Sequence, residues 1–203
     1  MIYATPFRKP LSYGEYCHEF QPASILLWER GVWLSQRVIA ASGRCVFSHG
    51  EMLDTNGFFS RSLGFTMWGP HDVPLYPLVQ KYPGRIHLYE PNPGVAWAHG
   101  CSWDGQAAVS EMRAIVDNAK GYGWYHLGRL VVFRFPLIRL FLVYPKDDRS
   151  NGTRLTTYFC SHACSWATRA GGFDPVRHVP DHLTEPADFA RSWFYSYKGA
   201  LVL

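Results

Sequence analysis

Two apolar stretches, CVFSHGEML (45–53) and GFFSRSLGF (57–65), are separated by Asp54-Thr55-Asn56-Gly57. An Asn-Gly pair between two such runs signals a β-hairpin, because both residues tolerate the positive φ that a tight turn requires. Paired strands need further strands and a layer to cover them. The chain offers SILLWE (24–29), RIHLYE (85–90) and the closing WFYSYKGALVL (193–203) as strands.

The covering layer reads as helical. WDGQAAVSEMRAIVDNAKG (103–121) places Ala107, Ala108, Met112, Ile115, Val116 and Ala119 at three- and four-residue steps, with a stop at Gly121. TTYFCSHACSWATRAGG (156–172) reads as a strand or turn entering a helix that ends at Gly171-Gly172, with Phe159, Ala163, Trp166 and Ala170 along one stripe. A short helix is expected over LSQRVIAAS (34–42), a Pro-rich passage over HDVPLYPLVQKYPGR (71–85), a polar loop over KDDRSNGT (146–153) and a capped single-turn helix in TEPADFARS (184–192). The class is α+β, an antiparallel sheet packed by helices, in a single domain over residues 1–203 with 1–23 as an N-terminal extension.

Apolar residues make up 47% of the 203 and charged residues 18%, a packed globular composition. The net charge of +4 comes from scattered lysines and arginines, so no nucleic-acid surface is expected. The run LGRLVVFRFPLIRLFLVY (127–144) carries Arg129, Arg134, Pro136 and Arg139, which argues against a membrane span. No signal peptide is visible at the N-terminus, which fits a cytoplasmic or phage origin. Five cysteines without a CxxC support neither a disulfide framework nor a zinc ribbon, and no cofactor or metal is expected.

Cys160 stands at the start of the late helix, where unsatisfied amides and the helix dipole favour a thiolate. Cys164, one turn on, reads as core. A thiolate nucleophile needs an imidazole and a group to orient it. Strand alternation puts Phe47, His49, Glu51 and Leu53 on one face, so His49 is the candidate base and Glu51 the candidate orienter, with Ser60 or Ser62 across the hairpin as substitutes. The residues alone also allow a second reading, in which Cys160 is a small core residue and His49 a hydrogen-bonded strand histidine. His162, Cys160 and Cys164 do not share a helix face, which disfavours a metal cluster, and His71 shows no ligand spacing.

The order GRCVFSHGEML, Asn-Gly hairpin, helix ending in GYGW, YFCSHACSWATRAGG and TEPADFARS resembles the circularly permuted papain-like amidases and peptidases related to the NlpC endopeptidases. The family's Ser-His strand, Tyr-Gly helix, aromatic-Cys-Ser helix start and Thr-Pro-Ala-Asp-like segment match Ser48-His49, Tyr122-Gly123, Phe159-Cys160-Ser161 and Thr184–Asp188. The resemblance implies a papain-like fold, Cys160 as nucleophile, His49 as base, and a peptide or peptidoglycan amide as substrate. Two positions depart from the family pattern: His162 stands where members carry an acidic residue, and Ser60 where they carry the third polar group. The resemblance also admits a lipid-directed enzyme like the lecithin retinol acyltransferase group, and a virion or phage tail component that keeps the fold without turnover, in contact with other virion or tail proteins.

Overall fold

The computed structural model describes residues 9–29, 37, 39–41, 44–134, 155–177 and 179–203. Its strands in chain order are β1 (Pro10–Ser12), β2 (Ile25–Glu29), β3 (Phe47–Asp54), β4 (Arg61–Thr66), β5 (Gly69–Pro74), β6 (Ile86–Pro91), the short pair β7 (Gly121–Tyr122) and β8 (Thr157–Tyr158), and β9 (Tyr195–Val202). Seven of these form one sheet in the order β1-β9-β6-β2-β3-β4-β5, and β7 pairs with β8 beside it. The helices are α1 (Tyr13–Tyr16), α2 (Leu75–Lys81), α3 (Pro93–Ala98), α4 (Gly105–Asn118), α5 (Trp124–Arg134), α6 (Cys160–Ala170) and α7 (Pro186–Arg191).

The expected α+β class holds, but the sheet is mixed rather than antiparallel. Pro10–Ser12 runs parallel to Ala200–Val202, while the other pairs in the large sheet are antiparallel. A parallel pair needs a long crossover, and here the crossover is nearly the whole domain between the first strand and the last.

At the centre lies β2, whose Ile25, Leu26, Leu27 and Trp28 are all buried. A strand closed on both faces reads as a continuous apolar run, which is why ILLW shows no alternation. Ile25 and Leu27 enter a core shared with Ala108, Met112 and Ile115 of α4 and Ala163 and Ala167 of α6. Leu26 and Trp28 enter a second core with Tyr13, Leu75, Leu88 and Leu201.

The expected hairpin forms, with Met52 opposite Leu63 and Asp54 opposite Arg61. Its connection is longer than the Asn-Gly signal implies, running from Thr55 to Ser60 with Gly57 at φ 52°. The Pro-rich passage turns out to be β5 followed by α2: Pro74 precedes the helix, where its fixed φ suits the entry. The helix expected over 34–42 and the loop over 146–153 lie largely or wholly outside the described residues, although residues 39–41 are helical. From the 127–144 run, α5 accounts for the described part, and among the described residues no helix is long and apolar enough to cross a membrane.

From residue 9 onward, the segment taken as an N-terminal extension is part of the domain. It contributes β1, and Tyr13 is fully buried between Phe20, Phe58 and Tyr76 with its hydroxyl donating to the Phe58 carbonyl at 3.0 Å. Tyr13→Ala should therefore cost about 3–5 kcal/mol, the range for removing a buried aromatic. Urea unfolding followed by circular dichroism measures it, and a loss below about 1 kcal/mol would mean the segment is dispensable.

Candidate active site

The local construction begins with an irregularity in β3. Trp28 pairs with His49 but Glu29 pairs with Phe47, so Ser48 is an extra residue in the strand, a β-bulge. The bulge breaks the alternation. Phe47 joins the core of Ile25 and Met52, whereas His49 and Glu51 stand opposite Trp28 and Leu26, which line the other core. Phe47 is thus not on the face of His49, contrary to the even alternation expected from sequence.

Glu51 is the hub. Its Oε1 accepts from His49 Nε2 at 2.6 Å and from His71 Nε2 at 2.9 Å, and its Oε2 accepts a short hydrogen bond from the Ser62 hydroxyl. The carboxylate reaches this position because Gly64, on the neighbouring strand, has no side chain. A Cβ there would stand 2.6 Å from Glu51 Cγ.

Cys160 opens α6, and the residue before it, Phe159, caps the helix without a side-chain hydrogen bond. First-turn amides therefore remain for other acceptors. The sulfur receives the backbone amides of Gly50 and Ser161 and a side-chain hydrogen bond with His49. His49 Nε2 is engaged with Glu51, so Nδ1 is the ring nitrogen left for the thiol. Gly123 fixes the approach of this helix: its amide donates to the Tyr158 carbonyl at 2.7 Å, and a Cβ would lie 2.9 Å from the Tyr158 carbonyl carbon. On the far side, Ser161 donates to the Thr184 carbonyl and Ser165 to Asp181, each at 2.7 Å, which ties the segment before α7 to α6.

Burial works against charge at all three groups, and their mutual attraction outweighs it. Burial pushes the Cys160 thiol up, but the His49 charge and the hydrogen bonds from His49, Gly50 and Ser161 bring it below the ordinary thiol value. Burial pushes His49 down, yet Cys160 and Glu51 hold the imidazolium up to about 10. Burial likewise raises Glu51, and the charge of His49 with hydrogen bonds from both imidazoles holds the carboxyl well below its usual range. These directions favour a thiolate–imidazolium pair backed by a carboxylate.

The other sequence candidates fall elsewhere. Ser60 is fully buried in the hairpin connection, donating to the Gly57 carbonyl at 2.6 Å and accepting from the Asn56 amide at 3.0 Å, so it holds the turn and not the imidazole. Burial pushes the Cys164 thiol well up, and its sulfur faces the Gly50 carbonyl at 3.7 Å. His162 is buried beside His126 and His182, with ring centroids at 5.5 and 6.4 Å, and burial and those neighbours push its pKa well down. His71 and Ser62 hold Glu51, a role for His71 that its lack of ligand spacing does not reveal because the prolines around it mask β5 as a strand.

Beside His49 opens a cleft of about 510 Å³. Trp28, Phe65, Met67, Trp68, Trp124 and Leu127 are among its apolar lining, and Ser48, His49, Glu51 and His71 among its polar lining. Trp68 is 91% exposed and Trp124 52%, an aromatic rim around the mouth.

Fold and site together define an α+β protein in which an imidazole and a carboxylate line an apolar cleft, and a buried thiol, Cys160, is hydrogen-bonded to that imidazole from behind the cleft wall. No family model matches the sequence, and no curated protein matches it significantly. Among solved structures, the chain is similar to the metalloprotein yiiX from Escherichia coli O157:H7, DUF1105, with a TM-score of 0.58 and 10% identity over 88% of this chain and 96% of that one. At that identity the likeness is one of fold. In this chain no group of three or more His, Cys, Asp or Glu side chains is placed to hold a metal ion among the described residues.

Alkylation by iodoacetamide follows the thiolate, so Cys160 should label ahead of the other four cysteines near neutral pH. Its advantage should widen as pH falls from about 8.5 to about 6, where ordinary thiols lose their thiolate fraction. His49→Ala should erase that advantage; equal labelling of Cys160, Cys45 and Cys101 at every pH would count against the ion pair. Gly64→Ala should push Glu51 off the imidazole, costing about 1–3 kcal/mol in denaturant unfolding and slowing Cys160 labelling, whereas unchanged labelling would mean that Glu51 does not support the pair.

Proposed function

We propose that this protein is a cysteine hydrolase of the permuted papain-like type, cleaving peptide or other amide bonds. The observation that carries the reading is the hydrogen-bonded order Cys160, His49, Glu51, with the thiol lowered and the imidazole raised. Cys160 Sγ attacks the carbonyl carbon, forming a C–S bond while the carbonyl π pair moves to oxygen. Collapse of the tetrahedral intermediate breaks the C–N bond, and the proton held on His49 Nδ1 passes to the leaving amine. Water then adds to the thioester carbon, giving one proton to His49, and the C–S bond breaks with its electron pair on sulfur, which releases the acid and restores the thiolate beside the imidazolium. Glu51 keeps the imidazole turned so that Nδ1 faces the sulfur throughout. The backbone amides at the start of α6 supply donors for the developing oxyanion.

The family resemblance makes a peptidoglycan peptide the first substrate to test. The cleft favours a second reading on substrate, an apolar acyl group as in the lipid-directed group that the sequence resemblance admits, because aromatic and aliphatic side chains dominate its wall and rim.

Release of new amino groups from purified peptidoglycan, and of fatty acid or amine from acyl amides in vesicles, separates the two readings. Either activity should vanish in Cys160→Ala and fall by about 10²–10⁴-fold in His49→Ala. Turnover that survives Cys160→Ala sinks the mechanism, and no turnover on either substrate class supports a virion component without catalysis. The ion pair exists between the lowered thiol pKa and the raised imidazole pKa. The kcat/KM profile should therefore rise on an acid limb below the ordinary thiol value of 9.0 and fall on an alkaline limb near pH 10.

A further inference from the structure

Buried polar side-chain atoms nearly always have a partner. Three residues of the cleft wall each carry a buried side-chain atom without one: Trp28 at Nε1, Ser48 at Oγ and His71 at Nδ1. Their hydrogen-bonding characters differ and are fixed by chemistry. An indole N–H only donates. His71 gives its Nε2–H to Glu51 at 2.9 Å, and in the neutral form of the ring that leaves Nδ1 as an acceptor. The Ser48 hydroxyl can do either.

Their placement is set by elements already tied to the candidate nucleophile. Trp28 pairs with His49 in the strand register, its ring 5.9 Å from the imidazole and held edge-on by Tyr82 at 4.6 Å. Ser48 is the extra residue of the bulge, one position before His49. His71 shares a carboxylate oxygen with His49. An unmatched donor and an unmatched acceptor thus both stand beside the imidazole, in a wall that is otherwise mostly apolar.

We propose that Trp28 and His71 are specificity-determining residues that together read a secondary amide in the substrate, Trp28 Nε1–H donating to its carbonyl oxygen and His71 Nδ1 accepting its N–H. The proposal rests on the hydrolase reading above and names what that site selects. An ester or a tertiary amide offers the carbonyl but no N–H, and leaves His71 Nδ1 unmatched inside the protein. Both atoms are shielded from solvent, so the group that meets them reaches them from the cleft that their residues line. Ser48 Oγ adjusts to whichever partner the bound group leaves over.

Binding separates this proposal from the hydrolase reading because it needs no turnover. Cys160→Ala protein is titrated calorimetrically with three neutral probes of matched length: N-butylhexanamide, its N-methyl tertiary amide and butyl hexanoate. The secondary amide should bind about tenfold or more tightly than either of the others. Adding His71→Phe should remove that preference, while adding Trp28→Phe should weaken all three probes and leave the preference for the N–H in place. Equal binding of the three probes to the Cys160→Ala protein overturns the proposal without any second substitution, so a misfolded double variant does not shelter it. A preference that survives His71→Phe in a protein with native circular dichroism overturns the role of His71. Neither result touches the hydrolase reading, which fails only if turnover survives loss of Cys160.

Discussion

A carboxylate removed from water costs several kcal/mol unless donors replace its hydration. Glu51 is 2% exposed, and its donors come from three strands: His49 on its own strand, Ser62 on the next and His71 on the one after. The site depends on that convergence. Without it Glu51 would take up a proton, His49 would lose the charge that holds its imidazolium, and the Cys160 thiol would return toward its ordinary value. Gly64 belongs to the same constraint, since the carboxylate occupies the space a side chain would fill.

The two ends of the pH scale strain this arrangement differently. His49 is raised in the folded protein, so its contribution to stability is complete below the unfolded value of 6.5 and disappears as pH rises through about 10. Glu51 is lowered, so its contribution is complete above the unfolded value of 4.5 and disappears as pH falls well below it. Between those limits the charged network and the fold support each other.

Much of this was legible in the sequence where local rules decide. The hairpin, the central apolar strand, the long helix from Gly105, the helix beginning at Cys160 and the capped turn at Pro186 follow from turn chemistry, periodicity and capping. Cys160, His49 and Glu51 were legible as a set, because a helix start and a strand face are local features. What escaped depends on long-range pairing. Nothing in PLS (10–12) announces a parallel partner near residue 200, and the prolines of β5 and α2 hide a strand that supplies His71. Ser60 looked equivalent to Ser62, and only the register of the hairpin separates a turn-holding hydroxyl from one aimed at a carboxylate.

The bulge at Ser48 reaches further than its size. Before it, the strand is in phase with the core beneath α4 and α6; after it, His49 and Glu51 are in phase with the opposite layer. One residue therefore acts as a phase shifter, turning Phe47 into the core that holds Met52 while His49 and Glu51 face the opposite layer. A strand built this way frees the position two before the imidazole for packing, because Phe47 no longer falls on the face that carries the chemistry.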